Sequence, residues 1–172
     1  MKDLEDILEE IEILIEEENY EKALQLISGA ELQHPNNSEL QYLKGEVYFN
    51  DENYPLAIVN YARALELDPD FTDAWISKGI AHIENKEAEA ARNCWLRASE
   101  LDPDNWEPYM HLAFYHQDKN EWKKALKYLL ESVELDNPFP EMLNEIADMY
   151  HELGDSEKEE EYRQQFEELE KF

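Results

Sequence analysis

A chain of 172 residues can bury a sizeable core, yet 4 glycines and a mean hydropathy of −0.79 leave little material for strands and tight turns, so a helix-rich protein is expected. A net charge of −28 repels phosphate backbones and anionic lipid heads, which disfavours nucleic acid and membrane surfaces as partners. No run of about 18 apolar residues occurs, and the opening MKDLEDILEE is acidic where a secretory leader is basic and then apolar, so a cytoplasmic location is expected.

The first predicted element, LEDILEEIEILIEEE, is an acidic helix around Ile11. A second helix follows the short turn at Asn19 and carries Tyr20, Ala23 and Ala30 before Pro35. The next block opens at Ser38, with Gln41 three residues on in a capping-box pattern. It contains Gly45, turns at Asn53 and continues through Tyr54, Ala57, Tyr61 and Ala64 to Pro69, which disfavours helix at the residue before it. In the third block Trp75, Gly79 and His82 recur at helical spacing, as do Ala91, Trp95 and Ala98 before Pro103. The fourth carries Ala113, Trp122, Ala125 and Ser132, with Pro138 near its end. The last has Ala147, a turn at Asp155 and a final helix that is polar except for Tyr162, Phe166, Leu169 and Phe172, which share one face. The two ends hold most of the charge: residues 1–37 carry 11 acids against 2 bases, and residues 140–172 carry 12 against 3.

These blocks are copies of one unit. Pro35, Pro69 and Pro103 stand 34 residues apart, as do Ala23, Ala57, Ala91 and Ala125. Ala30, Ala64 and Ala98 keep the same interval, with Ser132 next; Gly45 and Gly79 continue as Ala113 and Ala147 and are preceded by Ile11. Small residues sit where the two helices of a pair cross. The period and these columns resemble the tetratricopeptide repeat over essentially the whole chain, in repeats of about 4–37, 38–71, 72–105, 106–139 and 140–172. The resemblance implies an all-α, right-handed superhelical solenoid of antiparallel helix pairs, one domain spanning 1–172. Its last helix, 156–172, has Glu159 in the alanine column and is expected to serve as the polar cap that a terminal repeat needs.

No catalytic constellation emerges, so no enzyme, cofactor or metal is expected. Cys94 is alone and can form neither an internal disulfide nor a zinc motif, and none of the five histidines has zinc spacing. His82 and His116 share a column with Tyr48 and Tyr150 and read as polar rings packed between paired helices.

What remains is a binding surface, and the resemblance places it on the first helices of the pairs. One residue beyond the stripe committed to the partner helix lies a second stripe, about 100° round. Carried through the repeats it gives Leu8, Tyr42, Ile76, Met110 and Asn144, then Glu12, Glu46, Ile80, Phe114 and Asp148, then Ile15, Phe49, Ile83, Gln117 and His151. The groove expected from these ladders is apolar at its centre, with Tyr42, Glu46, Phe49, Ile76, Ile80, Ile83, Met110 and Phe114 as its lining and carboxylates at both ends. Some members of the family clamp acidic chaperone tails with first-helix bases. Here Lys44 and Lys78 are the only bases within the first helices besides Lys2, and they are expected to run along the helix to water. The expected function is a non-enzymatic interaction module for a peptide or helix with an apolar middle and basic ends. The alternatives are a dedicated chaperone for a hydrophobic or basic client, and an inert spacer or fragment of a larger scaffold. A monomer is expected, since strongly negative ends oppose end-to-end stacking.

Overall fold

The computed structural model describes residues 2–135 and 140–169, so Pro138 and Phe172 lie outside the described residues. Among the described residues there are ten helices and no strand: α1 (Leu4–Glu16), α2 (Tyr20–Glu31), α3 (Ser38–Asn50), α4 (Tyr54–Leu67), α5 (Thr72–Glu84), α6 (Ala88–Leu101), α7 (Glu107–Asp118), α8 (Trp122–Leu135), α9 (Pro140–Leu153) and α10 (Ser156–Leu169). Contact density divides the chain inside α6 into two compact units, Met1–Cys94 and Trp95–Phe172.

In the first unit α1 packs on α2 and α3 on α4, while α3 also touches α1, α2 and α5, so the first helices of successive pairs adjoin. The small-residue columns explain the closeness of the crossings: Ala23, Ala57, Ala64 and Ala91 are fully buried, and Gly45 and Gly79 are buried. Gly45 has a specific reason to be glycine. A Cβ built on it would stand 2.5 Å from the Tyr61 ring, and Tyr61 is itself 0% exposed. The first pair solves the same crossing with two medium side chains, Ile11 and Ile27, which are buried in one cluster.

In the second unit α7 packs on α8, α8 on α9 and α9 on α10. Here the crossing combines Ala113 with Leu129, in one cluster with Ala125, Ile146 and Met149. Ala98 and Ala125 are fully buried. Ser132, the polar member of its column, is buried too, and its Oγ donates to the Trp106 carbonyl at 3.0 Å. The final helix α10 has no buried residue among those described, although Tyr162 packs against the core of this unit.

The turns inside the pairs repeat a geometry that the residue types do not announce. Glu18, Glu52, Lys86 and Asn120 all have φ between 56° and 63°, and Gly154 follows with 77°. The residue after each, Asn19, Asn53, Glu87, Glu121 or Asp155, donates its N–H to the carbonyl five residues back at 2.8 to 3.0 Å. That bond is the six-to-one closure of a Schellman ending, which satisfies a carbonyl the helix leaves orphaned.

Capping differs from expectation at two places. The side chain of Asn37, not Ser38, caps α3, accepting from Leu40 N at 2.7 Å, and Gln41 donates to Glu31 instead of closing a box. Asn53 and Asp155 accept from Leu56 N and Lys158 N, whereas Asn19 makes no side-chain cap bond. The exposed prolines mark the joints. α4 ends at Leu67, Asp68 is extended, and the Pro69 carbonyl receives the Trp75 indole N–H at 3.0 Å. The Pro103 carbonyl receives the Tyr109 hydroxyl in the same way at 3.4 Å.

Candidate peptide-binding site

The site is built from the register of α3. Leu40, Leu43, Gly45 and Val47 turn inward and are buried, which leaves Tyr42, Glu46 and Phe49 half-buried on the adjacent stripe. The Tyr42 ring lies 5.8 Å from that of Tyr61 and 5.0 Å from that of Phe71, and Phe49 meets the Tyr54 ring edge-on at 5.6 Å. Between them the Tyr61 hydroxyl donates to Glu46 Oε1 at 2.6 Å, and Tyr42 and Ser77 approach each other at 3.4 Å. Glu46, Phe49, Tyr61, Ser77 and Ile80 enclose a pocket of about 90 Å³. A second, wider concavity of about 380 Å³ shares Glu46 and is lined by Glu12, Ile15, Glu16, Tyr42 and Leu43.

Glu46 is the electrostatic centre of this region. Burial pushes its carboxyl above the usual range, against the opposing effect of hydrogen bonds from Tyr61, Ser77 and Tyr42, and the Asp73 charge adds to the upward shift. Burial also drives the Tyr61 and Tyr42 phenols well above their ordinary values, with the Glu46 charge reinforcing it, so both remain hydroxyl donors. Among the described residues no lysine or arginine pairs with Glu46. The raised carboxyl has a consequence for stability. Between its unfolded and folded titration ranges the folded chain holds more protons than the unfolded one, so this group's contribution falls as pH rises through that window. Glu46→Gln is therefore expected to be more stable than the parent at neutral pH. The difference in urea midpoint should grow as pH is raised from just above the isoelectric point of about 4.3, then level off.

The structure sorts the remaining ladder residues. Ile76 is 3% exposed and belongs to the core of the first unit, Ile80 faces the smaller pocket, and Ile83 is exposed. Met110 and Phe114 lie in the second unit, both half-buried, and Met110 packs on the core there. The carboxylates are not symmetric. Glu12 and Glu16 line the wider concavity, while Arg163 of α10 binds Asp148 and Asn144, so the acid at the C-terminal end is already engaged. Tyr61 and Ser77 join the site although the stripe argument leaves them out. Tyr61 stands on the second helix of its pair, and the sequence sign at its position is another aromatic, Trp95, 34 residues on.

The bases do not run freely to water. Lys44 is held by Glu31 at 2.9 and 3.1 Å, and the Lys78 ammonium lies 5.3 Å from the centre of the Trp75 ring. His82 and His116 each bond the residue at the head of the following helix, Glu87 and Glu121, at 2.6 Å. The bond from His82 holds the Glu87 carboxyl below its usual range, and Lys124 with His116 does the same for Glu121. Burial pushes the Cys94 thiol up to about 11, which leaves it protonated and inert. Among the described residues no group of three or more His, Cys, Asp or Glu side chains could hold a metal, and no helix is long and apolar enough to cross a membrane.

No curated protein matches the sequence. Solved structures do resemble the fold. MamA is 19% identical with a TM-score of 0.85, covering 99% of this chain and 96% of that one. A MamA fragment from Desulfovibrio magneticus RS-1, running from residue 41 to its end, is 18% identical with a TM-score of 0.82, covering 97% and 94%. PilF of Pseudomonas aeruginosa is 20% identical with a TM-score of 0.85, covering 95% of this chain and 75% of that one. At such identities the likeness is one of fold. Two sequence profiles described as tetratricopeptide repeat match residues 8–70 and 48–113. With helix pairs at the period of the sequence, these matches show that the chain belongs to the tetratricopeptide repeat family.

Proposed function

We propose that this protein is a non-enzymatic interaction module that binds a peptide or helix with an apolar middle and basic ends along its first helices. Tetratricopeptide repeats are in general a protein-interaction fold. The observation that carries the finer reading is the pair of concavities on either side of Glu46. They combine Tyr42, Phe49, Tyr61, Ile15 and Ile80 with the carboxylates of Glu12, Glu16 and Glu46, and no base among the described residues lines either of them. An aromatic and aliphatic floor supplies burial, and the acidic rim supplies steering toward a cationic segment.

The test is selection from a random peptide library followed by titration. Selected peptides should have apolar centres with Lys or Arg flanks, and their affinity should fall as ionic strength rises. Ile80→Glu and Phe49→Glu should each abolish binding, taken as a loss of about a hundredfold for a charge placed in a desolvated contact, while circular dichroism keeps its helical signal. Selection of acidic peptides, or binding that survives both substitutions, overturns the reading.

A further inference from the structure

We propose that the pocket between α3 and α5 receives one arginine side chain of the partner, its guanidinium held by Glu46 and its stem by Phe49 and Ile80. The proposal rests on the interaction-module reading above and assigns the residue that reading leaves open.

The first support is an imbalance. A carboxylate largely withdrawn from water is stable only when a cation or enough donors replace its hydration. Among the described residues the hydrogen-bond partners of Glu46 are neutral hydroxyls, Tyr61 foremost, and these do not offset its partial burial and the nearby Asp73 charge. A cation arriving from outside would complete the set. Glu12 and Glu16 in the adjoining concavity and the Asp73 charge near Glu46 oppose an anionic occupant and favour a cationic one.

The second support lies within the same chain. Glu46 and Tyr61 are 15 residues apart on the two helices of a pair, and three periods further on the same two places hold Asp148 and Arg163. There the Arg163 guanidinium binds the Asp148 carboxylate and the Asn144 amide oxygen. The last pair thus fills from its own sequence the charge that the second pair leaves open. Where arginine is replaced by Tyr61, the ring turns against Gly45 and its hydroxyl reaches the acid, and a small pocket of about 90 Å³ stands beside it.

The third support is shape. The walls are two aromatic rings and an isoleucine, and one wall offers the Ser77 hydroxyl. A planar, weakly hydrated guanidinium stacks on such rings and still presents N–H groups to an oxygen at its edge. A compact ammonium keeps its hydration and gains less from the walls.

The experiment uses the full chain and an acetylated, amidated octapeptide with leucines at its centre and arginine at each end, titrated by fluorescence anisotropy and by NMR of the tyrosine and isoleucine signals. Glu46→Gln should weaken binding about tenfold or more, the loss of a charge-assisted hydrogen bond. Glu39→Gln removes an equal charge from the exposed start of α3 and should change affinity by less than about twofold, as expected of a screened surface charge. Replacing the arginines by neutral citrulline should reproduce the loss, and citrulline with Glu46→Gln should lose little more than either alone. Lysine in place of arginine should bind more weakly than arginine.

Equal affinity of Glu46→Gln and the parent, or losses from citrulline and Glu46→Gln that simply add, overturns the assignment. If Ile80→Glu still abolishes binding in that case, the groove reading stands without it. If the octapeptide does not bind the parent at all, N-acetyl-arginine methylamide decides. Shifts of the Tyr61 and Ile80 signals that are absent in Glu46→Gln support the pocket, and their absence in the parent overturns it.

Discussion

Tyr61→Ala is expected to destabilise the protein by about 3–5 kcal/mol, the range for truncating a fully buried aromatic ring. The ring is 0% exposed and fills the space over Gly45, and its hydroxyl is the donor to Glu46, so truncation opens a cavity and strips the acid of its closest partner. The reciprocal change makes the dependence explicit. Gly45→Ala gains about 1 kcal/mol of helix propensity but drives a Cβ into the ring, an overpacking worth about 1–3 kcal/mol. Because the contact is 2.5 Å to a buried ring atom rather than to a mobile tip, the steric cost should win. In the background of Tyr61→Leu the same glycine substitution should turn neutral or stabilising, since Ala113 with Leu129 is the arrangement that the fourth pair already uses. Urea denaturation of the four proteins gives the coupling energy directly. Additive effects would show that Gly45 is glycine for some other reason.

Leu129→Ala should cost about 2–5 kcal/mol. Leu129 is fully buried, and its neighbours Ala113 and Ala125 are too short to reach into the vacated space, while Ile146 and Met149 come from another helix whose position the rest of the cluster holds. Collapse is restricted, which puts the expected value in the upper half of that range. Leu129→Met, which nearly conserves volume, should lose less than about 1.5 kcal/mol. A denaturant midpoint that moves equally for both substitutions would mean that the second unit is not packed tightly about this residue.

The helix pairs were legible because burial at a crossing demands small side chains, and Ala23, Ala57, Ala91 and Ala125 report that demand at a constant interval. The stripe Tyr42, Glu46 and Phe49 was legible for a related reason, since residues four and three apart share a helix face. Ile76 shows where that reasoning stops. It lies in the same stripe as Ile80, yet it is buried, and helical spacing carries no information about what packs against each residue of a stripe. Tyr61 and Ser77 escaped for a different cause. Each reaches Glu46 from another helix, so their proximity is a property of the packing. The capture of Asp148 by Arg163 could have been inferred by placing Arg163 in the Tyr61 column. The turn conformation is hidden at Glu18, Glu52 and Lys86, where glutamate and lysine carry no sign of a positive φ, and only Asn120 and Gly154 further along the same column point to it.

Those turns hold their shape through main-chain bonds from residues five apart, so side-chain identity is left free there, at a conformational cost of about 1 kcal/mol wherever the residue is not glycine. Only the last turn, at Gly154, avoids it. The protein therefore keeps an unspent margin at four solvent-facing positions that neither line the concavities around Glu46 nor belong to the core. Positions of this kind are among those where stabilising substitutions are commonly found. For an engineer the turns are the natural place to recover stability lost elsewhere, because a change there leaves every helix crossing and the acidic pocket as they stand.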